Sequence, residues 1–252
     1  MDMSLIGPDV LFFLFVIALL AGCLDTLAGG GGLIVLPALI LTGLPPLQAL
    51  GTNKLQGTMG TAMASLMMLR HKRVEWPAVR MLMLTAFAGA AGGSIAVQFI
   101  DTAVLGFVIP TVLVIIGVYF LFAGRLLNNP VEARMSLTWY RGLVIPAIGG
   151  YDGMFGPGTG SFFSLAGVAL QGKKLLEATA IAKTLNFATN VASLLVFVLA
   201  GQIVWTAGLV MMTGQALGAW AGSHILFRID PQYLRVLIVL ICMAMLARYF
   251  YN

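Results

Sequence analysis

Two short runs decide how this chain folds: Asp25-Thr-Leu-Ala-Gly-Gly-Gly-Gly32 and Asp152-Gly-Met-Phe-Gly-Pro-Gly-Thr159. Both read Asp-x3-Gly-x-Gly, and both interrupt an otherwise apolar sequence. Glycine in a helix interior costs about 1 kcal/mol relative to alanine, so four in succession predict a break. The flanking apolar pieces, about 33–44 after the first run and 142–155 and 161–171 around the second, are short. At about 1.5 Å per residue they cannot cross a bilayer alone, which takes about 20 residues. Each run therefore predicts a hairpin that enters the membrane and turns at its glycines.

The matching continues beyond the glycines. Asp25, Gly29 and Gly31 align with Asp152, Gly156 and Gly158 at an offset of 127, and from Lys54 onward the offset is 129. That offset carries Lys54 onto Lys183, Trp76 onto Trp205, Gly89-Ala90 onto Gly218-Ala219, Gly93-Ser94 onto Gly222-Ser223, and Ile100-Asp101 onto Ile229-Asp230. Charged and aromatic residues recurring at a constant offset indicate an internal duplication.

Composition sets the solvent. Of 252 residues, 60% are hydrophobic and 9% charged, and the mean hydropathy is +0.99. Soluble domains carry about 25% charged residues, so a soluble enzyme and a disordered chain are both excluded. What remains is an all-α polytopic membrane protein. The net charge of +5 comes from bases dispersed between apolar segments, which is not a nucleic-acid footprint. Cys23 and Cys242 lie in apolar runs and suggest neither a disulfide framework nor a metal cluster.

Full spans are predicted over about 10–28, 55–69, 77–99, 103–123, 187–200, 206–227 and 233–247. The first has no basic leader and no small-residue cleavage site, and it reads as a retained helix. Lys and Arg placement orients the chain. Arg70, Lys72, Arg73 and Arg80, then Arg125, Arg134 and Arg141, Lys173 and Lys174, and Arg228 and Arg235 mark inner segments. The turns at Asp101 and Gly201-Gln202 read as outer. The inner 70–76 loop then corresponds to an outer 200–205 loop, so the two repeats have inverted topology. Each is expected to hold a glycine-interrupted re-entrant hairpin plus three transmembrane helices. The first repeat covers 1–123, a cytoplasmic linker 124–141, and the second, inverted repeat 142–252, all one membrane domain with both termini extracytoplasmic. Inverted repeats with broken helices are typical of secondary transporters.

The run from Ala28 through Leu39, then Gly43-Leu-Pro-Pro-x3-Leu-Gly-Thr-Asn-Lys54, resembles the first-repeat signature of the sulfite exporter TauE/SafE family, also called the four-toluene sulfonate uptake permeases. Gly150-Tyr-Asp-Gly-x-Phe-Gly-Pro-Gly-Thr-Gly-Ser161 and Glu177-Ala-Thr-Ala-x-Ala-Lys-x-Leu-Asn186 are similar to its second repeat. The branch most resembled is that of the probable membrane transporters. The resemblance covers nearly the whole chain. It implies a bacterial plasma-membrane carrier of sulfur-containing anions, such as sulfite or sulfonates. The first glycine run has four glycines where the second has Gly-Pro-Gly-Thr, so the two loops are not interchangeable.

Ionisable residues at membrane depth cost about 2.5–3.5 kcal/mol each on insertion scales and mark function by default. Lys54, 16 residues before Arg70, and Lys183, ten after Lys173, lie about 24 and 15 Å in from their helix ends. With Asp25 and Asp152 they form two repeat-related sets. In one reading the aspartates neutralise the lysines and lock the hairpins to the bundle. In the other the lysines hold an oxyanion, with Asp25 and Asp152 coupling or pairing charge. The second gives Gly30, Gly31, Gly32, Gly156 and Gly158 a role, since bare backbone at a helix start presents N–H groups and a positive dipole end to an anion. Asn53, Gln56 and Asn186 can donate to the same ligand or form polar links between helices, and Thr159 and Ser161 are weaker candidates. Gly89, Gly92, Gly93, Gly218 and Gly222 read as helix-packing glycines, and the methionines of 59–83 as packing or lipid-facing.

Four functions compete. Secondary transport of a small sulfur-containing anion, with or without proton coupling, fits every feature. An anion channel would use the same lysines, and a carrier of non-sulfur organic anions the same cavity. A membrane enzyme would want a zinc-type His pair or a Gly-x-Ser-x-Gly nucleophile, and neither motif occurs. No cofactor is expected. The expected partners are the anion, protons and the bilayer.

Overall fold

The computed structural model describes residues 7–28, 30–126, 132–225 and 231–251. Gly29 of the first glycine run, and Arg228, Ile229 and Asp230, lie outside these, as do the side chains of Arg125, Ser223, His224 and Arg235.

The described residues are helical, with no strand among them. The first half runs α1 (Pro8–Ala28), α2 (Gly32–Leu41), α3 (Pro46–Arg70), α4 (Trp76–Val97) and α5 (Thr102–Leu126). In the second, α6 (Leu137–Trp139) passes through a π-helical stretch, Tyr140–Val144, into α7 (Ile145–Met154). Then come α8 (Thr159–Gln171), α9 (Leu175–Leu199), α10 (Trp205–Ile225) and α11 (Pro231–Tyr251). The order of long and short helices is the same in both halves. Residues 124–126 belong to α5, and helix resumes at Leu137.

α3 and α9 begin well before the spans expected at 55 and 187. Pro46 sits at the first position of α3, where its missing N–H and fixed φ favour helix initiation. The early turns of both helices carry Thr, Lys and Asn, with Gln48 and Gln56 in α3 and Glu177 in α9, so the apolar runs read from the sequence start later than the helices do. Among the described residues, four helices are long and apolar enough to cross a bilayer: Pro8–Asp25, Trp76–Val97, Thr102–Tyr119 and Leu175–Leu199. Their outer faces expose large apolar side chains such as Phe12, Leu84, Phe107, Ile115 and Leu195, a surface suited to lipid. Trp76 and Trp205, at the starts of α4 and α10, are also exposed, as interfacial tryptophans are. The protein is a multi-pass membrane protein.

The halves wrap around each other. α1 packs on α10, α7 on α4, and α3 on α9. These contacts run backbone to backbone through glycine. A Cβ at Gly89 would strike the Pro146 carbonyl and one at Gly93 the Gly150 carbonyl. In the other half a Cβ at Gly218 would strike the Leu19 carbonyl and one at Gly222 the Cys23 carbonyl. The repeat offsets carry each of these pairs onto its counterpart, so one packing joint is built twice, each time between halves. Gly92 is the exception: nothing lies within 4 Å of a Cβ placed there. Of the methionines, Met59, Met63, Met67 and Met81 are exposed, whereas Met68 and Met83 pack against Val74, Val79 and Ala180.

Candidate functional site

Each long helix that carries a lysine presents a polar stripe. On α3, Asn53, Gln56, Gly57, Gly60 and Thr61 follow helical spacing and share one face. On α9, Lys183, Asn186 and Asn190 do the same. Within each stripe the amides bond to their own helix. Gln56 Nε2 donates to Asn53 Oδ1 at 3.0 Å, and Asn190 Nδ2 to the Asn186 main-chain carbonyl at 2.9 Å. These are contacts within a helix rather than the interhelical links that the sequence also allowed.

The two hairpins close the space between the stripes. Gly32 at the start of α2 lies against Pro157, with a notional Cβ 3.5 Å from its Cα. Gly30 and Gly156 turn with φ of 97° and 96°, a left-handed backbone that other residues adopt only with strain. At Gly156 space adds to that requirement, because a Cβ would lie 3.3 Å from Lys54 Nζ. The Tyr151 hydroxyl donates to the Pro157 carbonyl at 2.6 Å and braces the second turn.

The candidate binding and charge-pairing residues read from the sequence line one cavity of about 220 Å³. Asp25, Gly30, Gly31 and Gly32 come from the α1–α2 hairpin, and Asn53, Lys54 and Gln56 from α3. Asp152, Gly156, Gly158 and Thr159 come from the α7–α8 hairpin, and Lys183 and Asn186 from α9. Ser161 joins them in the first turn of α8. Cys23 and His71 are not among the lining residues.

The charges pair between halves. Lys54 Nζ lies 3.0 Å from Asp152 Oδ1, with both side chains almost fully enclosed. Lys183 Nζ lies 3.6 Å from Asp25 Oδ2, with side-chain exposures of 16% and 23%. Each lysine thus ties its helix to the hairpin of the other half. The surroundings of the aspartates differ. Thr159 donates to Asp152 Oδ1 at 2.7 Å. At Asp25 the donor is the main-chain N–H of Gly31, at 3.2 Å, and Lys183 also donates to the Asp25 main-chain carbonyl at 3.1 Å. One pair is tight and sealed, the other looser and open to the cavity. The lining reaches Leu175 and Thr179 in the opening turns of α9, so the cavity extends toward that end. At the start of α3, Gly51 packs against the Gln202 carbonyl, and the Val204 N–H donates to Thr52 Oγ1 at 3.1 Å.

The cavity also takes in Thr61, Ser164, Thr179, Asn190 and Gln215. Helical spacing from the lysines could have found two of them: Thr61 is seven residues after Lys54, and Asn190 seven after Lys183. Gln215 gives no such signal. It lies in an apolar span, and its repeat counterpart is Ala86.

Residues 14–249 match the family model described as Sulfite exporter TauE/SafE. A "Probable membrane transporter protein" of Haemophilus influenzae is 42% identical over 247 residues, covering 98% of this chain and 97% of the relative. The "Probable membrane transporter protein YfcA" of Escherichia coli K12 is 38% identical, covering 100% and 93%. The "Probable membrane transporter protein ORF9" of a Sinorhizobium species is 40% identical, covering 95% and 92%. No solved structure matches.

Proposed function

The chain belongs to the sulfite exporter TauE/SafE family, a family of membrane transporters, and from that premise we propose that it is a secondary transporter of small sulfur-containing anions, sulfite, a sulfonate or a related organosulfur anion, in the bacterial plasma membrane. The observation that carries this reading is the convergence of Lys54, Lys183 and the opening turns of α2 and α8 on one cavity between the halves. Two cations and two helix starts make a field for an oxyanion. Non-helical backbone at membrane depth is tolerated where it lines such a cavity. Transport rather than catalysis fits a site whose titratable groups are pinned to one another as ion pairs.

Inverted repeats account for the lysine–aspartate exchange and for the doubled glycine joint. In that topology both termini are extracytoplasmic, and the α9 end of the cavity faces the cytoplasm, next to Lys173 and Lys174. Anion movement is coupled to protons, because the four charged groups sum to zero and an added anion calls for a compensating proton.

The test is uptake into liposomes holding the purified protein. Labelled sulfite or a short sulfonate should accumulate when a pH gradient is imposed, and the protein without Lys183 (Lys183→Met) should not support it. Carboxylates transported as well as sulfonates would replace the sulfur anion with a general organic anion.

A further inference from the structure

We propose that the transported substrate is an organic oxyanion whose far end donates a hydrogen bond, and that the side-chain amide oxygens of Gln56 and Gln215 are placed to accept it. This rests on the sulfur-anion transport proposed above and adds what lies beyond the anionic head.

The cavity is supplied with more than donors. Gln56 Oε1, Gln215 Oε1 and Asp152 Oδ2 are buried acceptors without a hydrogen-bond partner. All three side chains line the cavity, from α3, α10 and α7, and the residues are 3%, 4% and 1% exposed. The Gln56 amide is oriented by its bond to Asn53 Oδ1, which leaves its oxygen free. The Gln215 amide lies over Gly60, where a Cβ would come within 2.7 Å of its Nε2. Gly60 is one turn after Gln56 on the same face of α3, and both glutamines line the cavity.

Asp152 is kept in both halves, as Asp25, and serves Lys54, but the two glutamines have no such counterpart. The repeat offset carries Gln56 onto Leu185 and Gln215 onto Ala86, apolar residues at equivalent places in the other half. The cations and bare helix starts serve an anionic head. An oxyanion alone brings only acceptors and has nothing to offer the two amide oxygens. A buried acceptor left unpaired is expensive, so a donor on the substrate gains by reaching one. The cavity, about 220 Å³, has room for a short chain behind the head.

The experiment is calorimetric titration of the purified, full-length protein with sulfite, propane-1-sulfonate and 2-hydroxyethanesulfonate, the last two differing by methyl against hydroxyl. The hydroxyl compound should bind at least tenfold more tightly than its methyl isostere. Gln215→Leu and Gln56→Leu should each bring that ratio toward one. If either variant fails to fold, Gly60→Ala, which crowds the Gln215 amide, reads the same ratio. Equal affinity for the two isosteres in the wild type overturns the inference and leaves anion transport standing, as does binding of sulfite alone. Binding of none of the three overturns both.

Discussion

Lys54 and Asp152 come from opposite halves of the chain and meet with Nζ 3.0 Å from Oδ1, almost without solvent. The equivalent contact of Lys183 with Asp25 is longer, at 3.6 Å, and partly exposed. Equivalent residues in two copies of one motif therefore face different demands, and substitutions should separate them.

Removing one member of a sealed pair leaves the other charge buried and uncompensated, at about 3–5 kcal/mol. Lys54→Met should lower the unfolding midpoint of the detergent-solubilised protein markedly, and adding Asp152→Asn should recover much of the loss. Lys183→Met, beside a more exposed carboxylate, should change the midpoint little and weaken sulfonate binding more than tenfold, about 1.4 kcal/mol. Wild-type affinity in Lys183→Met would make that lysine structural.

Gly156 carries two constraints, a φ of 96° and the nearness of Lys54. Gly156→Ala should cost about 1–3 kcal/mol in strain and weaken anion binding by displacing the lysine. Gly92→Ala, in open space within a helix, should be neutral or gain up to about 1 kcal/mol. Thermal melts of the two variants side by side measure the contrast.

The inverted arrangement predicts that positions in the α3–α4 and α9–α10 connections face opposite sides. In a background lacking Cys23 and Cys242, a cysteine replacing Lys72 should react with a membrane-impermeant reagent only from the cytoplasm. One replacing Gln202 should react only from outside. Labelling of both from the same side would remove the inversion.

The charged residues of the cavity were legible because one motif recurs at a constant offset in the sequence. Lys54 with Lys183, and Asp25 with Asp152, mark positions that both halves kept, and both sets face one cavity. The partner choice was not legible. Nothing in a linear offset says that Lys54 pairs with Asp152 rather than with Asp25 of its own half, because that follows from how the halves wrap. Nor was Gln215 legible, since a single amide in an apolar helix gains meaning only from what packs against it. The length of α3 was hidden for a related reason: its polar residues Asn53, Lys54, Gln56 and Thr61 face the cavity, and hydropathy counts only their polarity.

Coupling gives the last prediction. With both lysines protonated and both aspartates ionised, the cavity is formally neutral, and a bound monovalent anion makes it negative. Moving that charge across a membrane potential involves about 2.3 kcal/mol per elementary charge per 100 mV, so a proton carried with the anion makes the step electrically silent. Under the proposed coupling, Asp25 is the carboxylate whose position suits the role. Its side chain is 23% exposed and its lysine 3.6 Å away, whereas Asp152 is held by Lys54 at 3.0 Å and by Thr159 at 2.7 Å. Asp25→Asn should therefore abolish accumulation driven by a pH gradient in liposomes while leaving exchange down a concentration gradient. Asp152→Asn should act mainly through stability, by leaving Lys54 buried without its partner. A wild-type protein whose transport ignores the pH gradient would make both aspartates structural partners of the lysines and nothing more.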